Sequence, residues 1–167
     1  AFGFESGNME VLQKIGKEIT KDQIRNAFRL AKKAGLETVG FFMIGLPFDT
    51  KKTMQETIDF AIELNPDYAQ FTITTPLPGT RLNSWVKENT AFEGYSSFEN
   101  FNFFSTGAYF ETGNFSKKDV EELYAKAYKS FYYRPSFILK SILRLRNFQE
   151  LKARLVGLKT LLGLTKK

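Results

Sequence analysis

Cysteine and histidine are both absent from this chain of 167 residues. Without cysteine the chain cannot form a disulfide, bind a metal ion through a thiolate or use a cysteine nucleophile. Without histidine it lacks the commonest general base and metal ligand of proteins. Carboxylates could still bind a metal ion, but no spacing of acidic residues in the sequence indicates such a site. The chain therefore offers no thiolate or imidazole chemistry of its own.

Long apolar runs are also absent, and no segment resembles a membrane span or a signal peptide. The hydrophobic content of 43% and the length predict one globular domain with a substantial core. We expect a cytoplasmic location. The first seven residues, AFGFESG, read like the end of a strand without a start methionine. We therefore expect the chain to be a piece of a longer protein.

Positive charge is concentrated near the C terminus. The whole chain has a net charge of +6, but residues 140–167 alone carry eight basic residues and one acidic residue, a net of +7. Residues 1–139 therefore sum to −1. The basic residues of this tail are Lys140, Arg144, Arg146, Lys152, Arg154, Lys159, Lys166 and Lys167.

Two helical stretches are predicted in this tail, over about 136–146 and 147–162. In the second, leucines recur at helical spacing opposite a basic face. A basic amphipathic helix can lie on an anionic membrane surface, which would make the protein peripheral to a membrane. The alternative is a helix packed on the body of the protein with its basic face in solvent. We expect no nucleic-acid partner.

The clearest structural pattern lies at residues 38–49, TVGFFMIGLPFD. It begins as an apolar run rich in β-branched and aromatic residues, typical of a strand buried on both faces. The Gly45–Pro47 stretch ends the strand, because proline has no N–H for the ladder. Asp49 or Thr50 can then cap a helix to about residue 64, and a second strand follows over 68–74. A crossover of this length makes the two strands parallel.

The neighbouring segments repeat this unit. Residues 2–4 read as a strand end, followed by a helix over about 9–15 capped by Asn8 and a helix capped by Thr20 with Gln23 at the capping-box position. Thr80 caps a helix over 81–87. The order β, α, β, α, β, α predicts half of a β/α barrel or a small doubly wound sheet, with ligands expected at the carboxyl ends of the strands.

The segment 88–114 is irregular and rich in phenylalanine, with a short strand predicted near 108–111. An aromatic loop could stack a ligand, or it could simply cover the core. Ser116, with Asp119 at the box position, begins the next helix, which Pro135 ends. We therefore predict a half-barrel with an aromatic loop over 1–114 and a helical extension over 115–167.

Several residues at the expected ligand edge could carry chemistry. The turn at residues 5–8, ESGN, offers a carboxylate, a hydroxyl and free N–H groups, or it is a plain turn with a helix cap. A ring could approach the backbone closely at Gly45, which has no side chain. Lys17 could meet an anionic group, and the threonines at 72, 74 and 75 supply hydroxyls. Each motif alone is weak.

Together these motifs resemble the later half of a radical S-adenosylmethionine (radical SAM) domain. The resemblance rests on FGFESGNMEVLQKIGK at 2–17, GFFMIGLP at 40–47 and PDYAQFTITTPLPGT at 66–80, with FYYRP at 131–135. It is strongest to the cobalamin-associated branch that includes anaerobic Mg-protoporphyrin cyclase-like proteins and B12-type methyltransferases. That family folds as a (β/α)6 barrel, so this chain would supply its last three strands.

The resemblance implies S-adenosylmethionine as cofactor, a small-molecule substrate and, in the longer protein, a [4Fe–4S] cluster and optional cobalamin. The matching cofactor-binding positions are Glu5, Ser6, Lys17, Ile44, Gly45, Leu46, Thr74 and Thr75. The family binds its cluster through three cysteines, which this chain lacks, so we expect it to be inactive alone. The alternative is a cluster-free scaffold that serves as a binding module. The open half-barrel further predicts self-association.

Overall fold

The computed structural model describes residues 1–92 and 107–143. The predicted helix over 147–162 and most of the aromatic segment lie outside these ranges. Strands and helices alternate in the described ranges from the first strand to the third. The elements are β1 (Phe2–Glu5), α1 (Met9–Lys14), α2 (Lys21–Lys33), β2 (Val39–Ile44), α3 (Lys51–Leu64), β3 (Tyr68–Ile73), α4 (Arg81–Asn89), α5 (Lys117–Tyr132) and α6 (Pro135–Leu143).

The three strands form one open parallel sheet in the order β1-β2-β3. This confirms the predicted α/β class. The prediction that β2 is buried on both faces is wrong. Its residues alternate between buried and half-buried, so only one face is fully covered. The buried face packs against the helices and forms a continuous aromatic row across the sheet. That row contains Phe28, Phe4, Phe42, Phe71 and Phe131.

Helix caps lie where the sequence predicted them. Thr20 and Gln23 form a capping box at the start of α2, and Ser116 forms one with Asp119 at the start of α5. Thr50, rather than Asp49, caps α3. These caps satisfy the first N–H groups of each helix and fix the direction in which the chain leaves each loop.

The strand predicted near 108–111 is wrong. Among the described residues of this segment, the one β-bridge pairs Thr112 with Phe115, whose main chains close a tight turn. Phe110 and Phe115 are both buried, and their ring centroids lie 6.0 Å apart. The aromatic residues therefore fill the core instead of extending a strand.

Two tyrosines of α5 close the outer edge of β3. The Tyr132 hydroxyl accepts a hydrogen bond from the Ala69 N–H at 3.1 Å and donates one to the Ala69 carbonyl at 2.8 Å. Tyr128 does the same for Phe71, at 3.3 and 3.0 Å. Positions four apart on a helix match positions two apart on a strand. The pair thus satisfies groups that an edge strand normally exposes.

The amino ends of β2 and β3 are held by hydrogen bonds and a half-buried ion pair at Asp67. Asp67 accepts hydrogen bonds from the Thr38 N–H (2.8 Å) and hydroxyl (2.9 Å) and from the Lys140 ammonium (3.0 Å). Arg134 donates to the Ile62 carbonyl at the end of α3. The first set of bonds attaches α6 to the amino end of the sheet, and the Arg134 bond attaches the junction of α5 and α6 to α3. Within the described ranges, no helix has the length and apolar character needed to cross a membrane.

Candidate functional site

The carboxyl ends of the three strands lie along one edge of the sheet, as the parallel topology requires. The Thr74 N–H and hydroxyl both donate to the Ile44 carbonyl, at 3.0 and 3.2 Å, so the loops after β2 and β3 start side by side. Glu5 pairs in register with Phe42, two residues before the end of β2. The predicted residues of all three loops therefore share this edge, which we call the carboxyl edge.

Glu5 has a strained backbone at the end of β1. Its φ of 63° is in the left-handed region, which few residues other than glycine adopt, and the register with β2 shifts at this point. Its carboxylate lies 3.2 Å from the Lys17 ammonium, which also donates to the Gly3 carbonyl at 3.3 Å. Strain of this kind is often found where a side chain must point to a ligand.

The Ser6 side chain is turned away from solvent. It is completely buried, its hydroxyl lies 3.3 Å from that of Thr57 on α3, and it accepts a hydrogen bond from the Asn8 N–H. The Gly7 N–H donates to the same Thr57 hydroxyl at 2.9 Å. A Cβ on Gly7 would lie 2.6 Å from the Glu56 carbonyl oxygen. The turn is thus packed directly on α3, and Ser6 fixes its shape.

The Gly45–Pro47 loop is organised by Asp49, which the sequence indicated only as a cap. Asp49 is completely buried and accepts hydrogen bonds from the Leu46 N–H (2.8 Å) and the Thr53 hydroxyl (2.6 Å). Within the described ranges no cation forms an ion pair with it. Burial raises the pKa of Asp49 to about 6, against the lowering effect of these hydrogen bonds.

Gly45 adopts a φ of 81°, which favours glycine. Its missing side chain makes room for a neighbouring helix, since an added Cβ would lie 3.0 Å from both methyl groups of Val120 on α5. Ile44 and Leu46 are buried as well. The three residues are therefore packed inside the protein, and the space that Gly45 leaves is occupied by Val120 rather than open to a ring.

Thr75 differs from Thr74 in its exposure. Thr74 is buried, whereas Thr75 is half-buried and its hydroxyl donates to the Ile73 carbonyl at 3.1 Å. The Asn83 amide donates to the Pro76 carbonyl at 2.8 Å and so fixes the following loop to α4. Of the eight predicted residues, Glu5, Lys17 and Thr75 keep partly accessible side chains, and the other five are buried. Thr57 and Asp49 support the loops, and no local sequence signal marks Thr57.

No group of three or more acidic residues that could hold a metal ion occurs in the part of the chain that the structure describes. The thiolate ligands of an iron–sulfur cluster are absent from the whole sequence. The described part of the carboxyl edge therefore lacks the thiolate donors that hold such a cluster.

Comparison with known families identifies the region that forms most of this edge. Residues 1–61 match the model of the radical SAM superfamily, and this range contains β1, β2 and the loops with Glu5 and Gly45. Residues 1–61 are therefore similar to the radical SAM superfamily. Three parallel strands alternating with helices in an open sheet are consistent with part of a radical SAM barrel.

Several curated relatives are similar to the chain. An uncharacterized methyltransferase of Pyrococcus horikoshii is 39% identical over 88% of this chain and 31% of its own length. The anaerobic magnesium-protoporphyrin IX monomethyl ester cyclase of Rubrivivax gelatinosus is 35% identical over 47% of the chain and 14% of its length. The bacteriochlorophyllide d C-12(1)-methyltransferase of Chlorobaculum tepidum is 31% identical over 48% and 18%. The chain thus spans less than a third of these relatives.

Proposed function

We propose that the carboxyl edge forms part of the S-adenosylmethionine-binding wall of a radical SAM enzyme. The observation that carries this proposal is the Glu5–Lys17 pair. The two charges lie 3.2 Å apart at the end of β1, and the side chains remain 24% (Glu5) and 41% (Lys17) exposed. The methionine part of the cofactor carries one ammonium and one carboxylate. Each partner of the pair can therefore exchange its neighbour for the opposite charge of the ligand.

The other predicted residues contribute in a different way. Ser6 and Thr74 use their hydroxyls inside the protein, so in our proposal they hold the loops in place rather than contact the cofactor through their side chains. Ile44, Gly45 and Leu46 are buried as well, so in our proposal they hold the loop after β2 in place beside the cofactor. Thr75 can offer its partly exposed hydroxyl.

The reactive group of such an enzyme must come from outside this chain. In the family, a [4Fe–4S] cluster bound by three cysteines would supply the electron for reductive cleavage of the cofactor, and this chain has no cysteine. We therefore propose that a longer parent protein supplies the cluster ligands and that the chain alone is inactive. The similarity to methyltransferases and a cyclase supports a small-molecule substrate and a parent of the cobalamin-associated branch.

Amide NMR spectra of the ¹⁵N-labelled chain during titration with S-adenosylmethionine would test the proposal, because amide shifts report even weak binding. We expect shift changes confined to residues 5–8, 16–17, 44–46 and 74–75. Gly35 serves as an internal control, since it lies in a positive-φ turn between α2 and the amino end of β2. The Glu5→Gln variant should lose the response, and Glu18→Gln, which alters an exposed acid after α1, should keep it.

Unchanged spectra at millimolar cofactor would contradict a cofactor wall that is preformed in this chain. Changes spread over the whole chain would indicate nonspecific association and would contradict it as well. In either case the alternative is the cluster-free half-barrel, which would serve as a binding module for another ligand.

A further inference from the structure

Helix α6 is oriented with apolar side chains toward solvent. Ile138, Leu139 and Leu143 are 43%, 59% and 76% exposed, and we refer to these three residues as the α6 face. Lys140 is instead directed inward, where its ammonium binds the buried carboxylate of Asp67 at 3.0 Å. This is the reverse of the usual surface helix, whose apolar stripe faces the core.

The orientation of α6 is fixed by specific contacts. The Phe137 ring packs against Tyr132 and Phe131, with centroid distances of 5.0 and 5.6 Å. Rotating the helix to bury the α6 face would separate these rings and break the Lys140–Asp67 ion pair. Since losing an ion pair to a buried carboxylate is costly, the apolar face stays outward. Exposed apolar clusters of this kind mark interaction surfaces.

We propose that the α6 face docks on an anionic lipid surface. The α6 face lies at the start of the most basic part of the sequence, because residues 140–167 carry a net charge of +7 and residues 1–139 carry −1. An apolar face that is followed in sequence by many lysines and arginines is a combination that binds the interface of an anionic bilayer. Symmetric pairing of two α6 faces would instead bring two basic tails together, and their repulsion disfavours a second copy as the occupant.

Vesicle co-sedimentation of the full 167-residue chain tests this proposal, which is independent of the proposed cofactor site. The vesicles contain phosphatidylglycerol and phosphatidylcholine, or phosphatidylcholine alone. We expect binding to the anionic vesicles at low salt, weaker binding at high salt and little binding to the zwitterionic vesicles. Leu139→Glu and Leu143→Glu should each weaken binding roughly tenfold or more, because an acidic side chain would enter the interface.

Leu30→Glu is the matched control. Leu30 is 50% exposed on α2, and its substitution changes the charge by the same amount. This variant should bind nearly as well as the unsubstituted 167-residue chain, and circular dichroism should show that all three variants fold. Binding that survives both α6 substitutions would assign the contact to other residues and overturn the proposal. Absence of vesicle binding would also overturn it, as would a dimer that the α6 substitutions dissociate without any vesicle binding.

Discussion

The two ends of the sheet each contain a buried aspartate, and the two aspartates differ in their hydrogen-bond and ion-pair partners. At the amino end, Asp67 is paired with the Lys140 ammonium and two donor groups of Thr38. At the carboxyl edge, Asp49 is completely buried, its donors among the described residues are neutral, and burial raises its pKa. The carboxyl edge also contains Glu5 in a strained backbone. The contacts at the amino end therefore stabilise the fold. The carboxyl edge retains a buried carboxylate and a strained backbone, both of which cost stability and are typical of a functional site.

Removing the Asp67 carboxylate at the amino end should have the largest effect on the free energy of unfolding. We expect Asp67→Ala to lower the free energy of unfolding by about 3 kcal/mol, because it removes the acceptor of the Thr38 N–H and of the half-buried Lys140 ammonium. Urea denaturation measures this change. Asp59→Ala, at an exposed position of α3, is the control and should cost about 0.5 kcal/mol or less. Equal losses in the two variants would contradict the comparison.

The contribution of Asp49 to stability should depend on pH. Its pKa of about 6 in the folded protein exceeds the usual value of 3.8, so the folded state binds the proton more tightly than the unfolded state. Protonated Asp49 contributes its full stabilisation below about pH 4, and this contribution is lost as the pH rises through 6. The shift in pKa corresponds to roughly 2–3 kcal/mol in the free energy of unfolding.

Urea denaturation across this pH range, with Asp49→Asn as the comparison, isolates the contribution of this carboxyl group. The variant cannot ionise, so its stability should lack the decline between pH 4 and 7. Other carboxyl groups titrate in the same range in both proteins, and the difference between the two curves removes them. Parallel curves would show that Asp49 has an ordinary pKa in the folded chain.

The closed edge of β3 provides a third test. Replacing Tyr128 and Tyr132 together by phenylalanine removes the partners of two N–H and two carbonyl groups, which should lower the free energy of unfolding by about 2 kcal/mol. An edge strand freed in this way can pair with another chain, so we also expect greater self-association by sedimentation velocity. Tyr133→Phe is the control. Its hydroxyl is buried and has no hydrogen-bond partner among the described residues, so its removal should cost nothing.

Local sequence signals predicted the framework of this fold. Thr20, Thr50 and Ser116 are helix caps because each can accept a bond from an N–H three residues on, and this depends only on near neighbours. The parallel order of the strands followed from the length of each crossover. The position of the candidate edge followed in turn from this order, since loops after parallel strands share one side.

The contacts that shape the candidate site could not be predicted in this way. Thr57 supports the Ser6 turn from 51 residues away, and Lys140 reaches Asp67 across 73 residues. A sequence pattern shows that a position is apolar or polar, but not which distant side chain it meets. The positive φ of Glu5 had no signal either, because glycine normally marks such positions.

The smallest effect on stability should come from the strained residue itself. Glycine adopts a φ of 63° without the steric cost that Glu5 incurs, so Glu5→Gly should raise the free energy of unfolding by up to about 1 kcal/mol. The ion pair with Lys17 is partly exposed and offsets little of this gain. The same variant should lose the amide response to S-adenosylmethionine, because the carboxylate is gone. Gain of stability together with loss of binding would show that the strain serves the ligand, whereas a less stable variant would show that Glu5 supports the fold.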